Sequence, residues 1–144
     1  MKKKILVTRK LLIENEEKLK KLFDVKLNSK DELYTSDKII ELSKDCDGIL
    51  SAITDQFNKD LIEKLSPSIK IIANFAVGFG NIDVNAATKK NIVVTNTPEV
   101  LDDSTADISI LLLLGASRKV LEARRAAELQ NWKWSADFML GKQM

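Results

Sequence analysis

The chain has 144 residues, of which 44% are hydrophobic and 31% charged, and its net charge is +2. That is the profile of a folded globular domain long enough to bury a core without staples, and it excludes a disordered segment. The charge is too small to argue for a nucleic-acid partner. The longest apolar run, Ile110 to Ala116, falls far short of the roughly 20 residues a membrane span requires.

In chain order, Lys2, Lys3 and Lys4 lead directly into Ile5-Leu6-Val7. A signal peptide needs an apolar stretch of about 7–15 residues there, so a solvated N-terminus is expected. Lys4–Thr8 reads as a first strand. Leu11–Phe23 places Leu11, Leu12, Leu19, Leu22 and Phe23 among Glu and Lys, which suits a surface helix. Asp24–Asn28 reads as a second strand. Ser36 is placed to N-cap a helix running to about Lys44. Cys46 is the only cysteine, so no disulfide closes within the chain, which fits a reducing cytoplasm. With no histidine anywhere to act as its base, Cys46 reads as a small buried apolar residue.

Asp47–Ser51 reads as a third strand, and Asn58 caps a helix over Lys59–Leu65. Ser66-Pro67-Ser68 is a turn. Lys70–Asn74, Asp83–Lys89 and Ile92–Thr95 come next as strand, short helix and strand. Five strands alternating with helices predict a parallel α/β sheet with helices on both faces, in the flavodoxin-like, doubly wound order 2-1-3-4-5. The β-branched runs Ile69–Ile72 and Ile92–Val94 suit strands buried on both sides. From Asp103 to Gln130 there is no proline and one glycine, Gly115. This predicts a single helix of about 27 residues, on the order of 40 Å long. Its first half is apolar nearly all round and is expected to be buried. Residues 1–102 are therefore expected to form one domain, with 103–144 a separate segment built on the long helix.

The segment richest in chemical meaning is Ala73-Asn74-Phe75-Ala76-Val77-Gly78-Phe79-Gly80-Asn81-Ile82-Asp83. It links a predicted strand to a predicted helix, at the sheet edge where open α/β proteins bind ligands. Gly78 and Gly80 allow close backbone approach or positive φ. Successive free N–H groups in such a turn bind anions, carboxylates included. An ordinary tight turn has the same local pattern, and both readings stand. The stretch is not a dinucleotide fingerprint, because Asp83 stands where a third glycine is needed. Nor is it a phosphate-binding P-loop, because no Gly-Lys-Ser/Thr comes after it. Ser51-Ala52-Ile53-Thr54 ends the third strand at the same edge and either lines a small pocket or simply forms a turn. Ser104 and Thr105 either cap the long helix or face an anion at its N-terminus. Trp132 and Trp134 read as core or interface anchors, since no basic aromatic surface accompanies them.

Four blocks in order carry a resemblance: Ala73 through Asp83, Ala86-Ala87-Thr88-Lys89, Val94-Thr95-Asn96-Thr97-Pro98, and Ser104-Thr105-Ala106-Asp107. Together they resemble the D-isomer-specific 2-hydroxyacid dehydrogenases, and within them the glyoxylate/hydroxypyruvate reductases. The resemblance implies an oxidoreductase acting on a small 2-keto or D-2-hydroxy acid with NAD or NADP, built from a substrate domain and a cofactor domain. It implies that Val77 and Gly78 hold the substrate carboxylate through main-chain amides. Ser51 then lines the pocket, and Thr105 lies near the cofactor. Gly80 replaces a common aspartate and is expected to loosen the turn.

The family draws its histidine, glutamate and arginine from the cofactor domain, so no catalytic residue and no metal ligand is assigned here. By the same resemblance, 103–144 is the interdomain helix with a lead into that domain. Leu140-Gly141-Lys142-Gln143-Met144 looks like the approach to the cofactor fingerprint, and the chain alone is expected to be inactive. A homodimer through the long helix, with domain swapping as one route, is expected to cover its leucines. The competing reading is a non-catalytic dimerisation or regulatory module of the same fold. A phosphoacceptor receiver is rejected, because Ser51 and Thr8-Arg9 stand where it needs acidic residues.

Overall fold

A computed structural model describes residues 2–130 and 132–142. It divides into two compact units, residues 1–99 and 100–144. The first unit holds β1 (Lys4–Val7), α1 (Ile13–Leu22), β2 (Asp24–Lys26), α2 (Ser36–Ser43), β3 (Gly48–Ala52), α3 (Lys59–Lys64), β4 (Ile71–Phe75), α4 (Val84–Lys89) and β5 (Val93–Thr95). All strand pairs are parallel, in the order β2-β1-β3-β4-β5. The register sets Leu6 beside Ile49, Ile49 beside Ile72 and Ile72 beside Val94.

Right-handed crossovers dictate where the helices go. The chain steps one way from β1 to β2 and the other way from β2 through β5. Hence α1 lies alone on one face, while α2, α3 and α4 pack together on the other. Their residues Ile39, Leu61, Ile62, Ala86 and Ala87 close over Leu6, Ile49 and Ile72 in one core. Burying each such side chain is worth roughly 1.5–3 kcal/mol.

The expectation that β4 and β5 are buried on both sides is corrected. Ile71 and Phe75 of β4 are 38% and 59% exposed, and Val93 of β5 is 57% exposed. The physical reason is the single helix on that face, since α1 reaches only as far as a groove against Leu50 and Phe75. The cap of α2 also shifts by one residue, from Ser36 to Thr35, whose side chain accepts from Lys38 N–H. Asn58 caps α3 as expected, accepting from Leu61 N–H at 2.9 Å.

The second unit holds α5 (Asp102–Ser117) and α6 (Val120–Leu129), so the single long helix is corrected to two. Lys119 turns left-handed at φ 53. The freed Ser117 carbonyl accepts from Lys142 N–H at 2.9 Å. Gly141 approaches so closely that a Cβ there would lie 2.4 Å from the Ser117 carbonyl oxygen. Gly115 sits two residues before the end of α5 but has no positive φ, and the partner of the break, Lys142, lies far downstream. The expected burial of α5 is corrected as well, because none of its residues is buried. Trp132 stacks on Phe138 at 5.9 Å, while Trp134 is 84% exposed. Of the expected lead-in, Gln143 and Met144 lie outside the described residues. No described helix is long and apolar enough to cross a membrane.

Candidate functional site

The carboxyl ends of β3 and β4 carry a polar cluster where the sheet would otherwise continue its apolar face. Ser51 and Asn74 stand opposite each other in register, two residues beyond Ile49 and Ile72 on the helix-packed face. Ser51 Oγ donates to Asn74 Oδ1 at 3.1 Å. Asn74 Nδ2 donates to Asn81 Oδ1 and to the Gly78 carbonyl, both at 3.0 Å. Asn81 Nδ2 in turn donates to the carbonyls of Ala52 and Asp55, at 3.2 and 2.9 Å. All three side chains are at least nine-tenths buried. The Asn81 main chain is pinned too, because Phe57 N–H donates to its carbonyl at 2.8 Å.

Above this ladder the turn Val77–Gly80 is exposed. Among the described residues no acceptor takes the N–H of Val77 or Gly78. The carbonyls just before them are both occupied. Ala76 O accepts from Thr97 N–H at 2.9 Å, and Val77 O accepts from Asn96 Nδ2 at 2.7 Å. A trans peptide sets N–H opposite to C=O, and no described peptide bond is cis. Holding these two carbonyls on the β5 side therefore turns the Val77 and Gly78 N–H groups away from it. Two adjacent, unpaired donors in a turn form an anion-binding concavity.

Of the two roles open to the glycines, positive φ is not the one used: no described glycine has positive φ. A Cβ on Gly78 or Gly80 would meet nothing within 4 Å. The fold therefore does not require glycine at either place, and both leave open space above the main chain. Around Gly80, Ile82 N–H closes the turn onto Phe79 O at 3.0 Å.

Of the expected residues, the structure brings Ser51, Val77 and Gly78 to one sheet edge. The Ser51 hydroxyl is spent on Asn74, beneath the turn rather than on its surface. Thr105 lies in the other unit, exposed in the first turn of α5, with its N–H given to Leu101 O. Asp102 and Asp103 share that turn. Two carboxylates at a helix N-terminus oppose a pyrophosphate rather than cradle it.

Sequence reasoning missed Asn74, Asn81 and Asp55. Asp55 is 3% exposed. Its Oδ2 accepts from Thr8 Oγ1 and Ala52 N–H, while Oδ1 has no partner among the described residues. Nearby, Arg9 grips Asp31 through two nitrogens and donates to Thr54 Oγ1 at 2.8 Å. The Arg9 guanidinium, helped by the Lys10 amide, holds the Asp31 carboxyl well below the usual carboxylate range. At the far edge of the sheet, burial pushes the Cys46 thiol up. The available signal was polar type alone: asparagine at the end of a strand and again after the turn.

Together, these elements define an α/β unit whose doubly wound parallel sheet carries a bare-amide turn at its carboxyl edge. The chain belongs to the D-isomer specific 2-hydroxyacid dehydrogenase family, whose catalytic-domain model matches residues 5–136. It is 43% identical over 144 residues to a glyoxylate reductase of Korarchaeum cryptofilum, covering 98% of this chain and 43% of that protein. It is 36% identical over 135 residues to a glyoxylate reductase of Thermococcus litoralis, covering 94% and 40%. The fold also matches an NADPH-dependent glyoxylate/hydroxypyruvate reductase of Sinorhizobium meliloti, solved with NADP and malonate, at TM-score 0.75 and 31% identity, covering 92% and 40%. The chain thus spans less than half the length of these relatives.

Proposed function

We propose that this chain forms the substrate-binding part of an oxidoreductase that interconverts a small 2-keto acid and its D-2-hydroxy acid, of the glyoxylate or hydroxypyruvate type. The observation that carries the reading is the pair of outward, unpaired amides at Val77 and Gly78, in a chain whose relatives are named glyoxylate reductases. In this reading those amides bind the substrate carboxylate and fix the neighbouring carbonyl carbon in place. Ser51 underlies the pocket and steadies its floor. Thr105 stands near the cofactor.

The reaction needs a hydride, which a nicotinamide (NAD or NADP) supplies when bound. It also needs a proton donor for the developing alkoxide and a cation beside the carbonyl. The 144 residues contain no histidine, so they supply no imidazole as that proton donor; in this reading a nicotinamide-binding domain brings the donor, the cation and the cofactor's main grip. The isolated chain therefore shows no turnover. The exposed leucines of α5 serve as a contact surface for a second copy. With one buried cysteine, the setting that suits the chain is a reducing cytoplasm.

The test is to join the chain to a nicotinamide-binding domain of the same family. Glyoxylate and hydroxypyruvate are then assayed with NADH and with NADPH. Reduction of one of them supports the reading. No turnover with any small 2-keto acid, from a folded fusion that binds cofactor, overturns it.

A further inference from the structure

The two candidate donors are not held in the same way. Each N–H belongs to a peptide unit whose carbonyl is taken by the loop after β5. Thr97 N–H holds Ala76 O at 2.9 Å, and so fixes the Val77 donor through main chain alone. Asn96 Nδ2 holds Val77 O at 2.7 Å, and so fixes the Gly78 donor through a side chain.

The second unit needs that hold. A peptide unit turns over by changing ψ of the residue before it and φ of the residue after it, while its neighbours stay in place. For the Ala76–Val77 unit the residue after is valine, and a β-branched residue resists positive φ. For the Val77–Gly78 unit it is glycine, which adopts either sign of φ. Packing does not choose between the two states, because a Cβ on Gly78 would meet nothing within 4 Å. Asn74 does not choose either, since it bonds the Gly78 carbonyl, which belongs to the next unit. Turned over, the Val77–Gly78 unit would carry its N–H toward the β5 loop and bring Val77 O out where the anion is to bind. The structure has the other state, with Gly78 outside positive φ. The contact that distinguishes the two is Asn96 on Val77 O.

We infer that Asn96 is a positioning residue of the candidate carboxylate site: it keeps the Val77–Gly78 peptide from turning over, so that an N–H and not a carbonyl faces the ligand. This rests on the carboxylate reading of Val77 and Gly78 given above. The position calls for a neutral donor. An aspartate of the same shape would accept where Asn96 donates, and would add a charge of the ligand's own sign.

The test is NMR on the 144-residue protein. N–H residual dipolar couplings are measured on the free chain, which is then titrated with glycolate, the 2-hydroxy acid of glyoxylate, against chloride at equal ionic strength. In the wild type both couplings fit fixed N–H vectors, and the Val77 and Gly78 amides shift with one Kd. In Asn96→Ala the Gly78 coupling is averaged while that of Val77 holds. The Kd rises by about fivefold, the worth of one hydrogen bond. Adding Gly78→Ala to Asn96→Ala restores a fixed coupling at position 78, because a side chain there disfavours the turned-over φ.

A Gly78 coupling or a Kd unchanged by Asn96→Ala overturns the inference. So does equal averaging at Val77 and Gly78 that the second substitution leaves in place, the mark of a merely structural role. If the couplings behave as stated but neither wild-type amide responds to glycolate, the carboxylate reading falls and takes this inference with it.

Discussion

Asn74 and Asn81 face each other through their side-chain amides, with Asn74 Nδ2 3.0 Å from Asn81 Oδ1 and a longer return contact of 3.4 Å. The pair joins the end of β4 to the turn after β3, because Asn81 also serves the carbonyls of Ala52 and Asp55. Replacing Asn81 by alanine strands the buried Asp55 carbonyl and one face of Asn74, while the Ala52 carbonyl keeps the Asp55 N–H. The expected loss is about 1–3 kcal/mol of stability, typical of unmet buried polar groups. Urea unfolding of the Asn81→Ala protein measures it, and an unchanged midpoint would show that water replaces the amide without cost.

Two glycines separate fold from ligand. At Gly78 a Cβ meets nothing and φ is ordinary. Gly78→Ala is therefore expected to keep or raise stability, by about 0.4–1 kcal/mol through the unfolded chain. The same methyl stands beside the exposed amides and weakens glyoxylate binding. At Gly48 a Cβ would lie 2.8 Å from Ile71 Cγ2. Gly48→Ala is expected to cost about 1–3 kcal/mol by overpacking. Thermal melts and glyoxylate titrations of both variants check the contrast. A Gly78→Ala protein that melts early, or binds as the wild type does, contradicts it.

Acid sensitivity arises most from the two carboxylates with the largest shifts among those held below their usual range. Asp31 is held below its usual range by the Arg9 guanidinium and then by the Lys10 amide. Asp45 is held down by Lys26 and then by Lys4. Near the ordinary carboxylate value of about 4, the folded chain thus carries fewer protons than the unfolded one. The stabilisation is complete above that pH and disappears as pH falls through it toward the lowered folded values. Urea midpoints are expected to stay flat from about pH 7 to 5 and to drop below about 4. Asp31→Asn flattens part of that drop, and high salt weakens it because both groups face solvent. An acid limb in Asp31→Asn that overlays the wild type removes Arg9–Asp31 from this account.

The parts of the fold set by short-range pattern could be read from the chain. Alternating runs gave the strands, the five-unit βα pattern pointed to their order, and Asn58 announced the start of α3. What escaped depended on distant partners. Ile71 and Val93 look like any doubly buried β residue until the crossovers put three helices on one face and one on the other. Lys119 lies in a segment of good helix formers, and the break after Ser117 is met by Lys142, which no local window contains. At the site, the glycines drew attention to Val77 and Gly78. The asparagines that orient the turn did not, because a buried Asn74 and an exposed one read alike in sequence.

The α5 leucines give the last test. Leu111, Leu112 and Leu113 are 63%, 66% and 55% exposed, and Ile108 and Ile110 are exposed beside them. Each leucine gains roughly 1.5–3 kcal/mol on full burial, so a helix apolar on every side has a strong drive to be covered. Sedimentation of the 144-residue protein is expected to show a dimer. Leu112→Lys is expected to shift it to monomer at the same concentration. The core of the first unit contains no α5 residue, so its urea unfolding should not change. That combination separates a lost contact surface from a damaged fold. A wild type that sediments as a monomer at high concentration would mean that α5 finds its cover without a second copy of this chain.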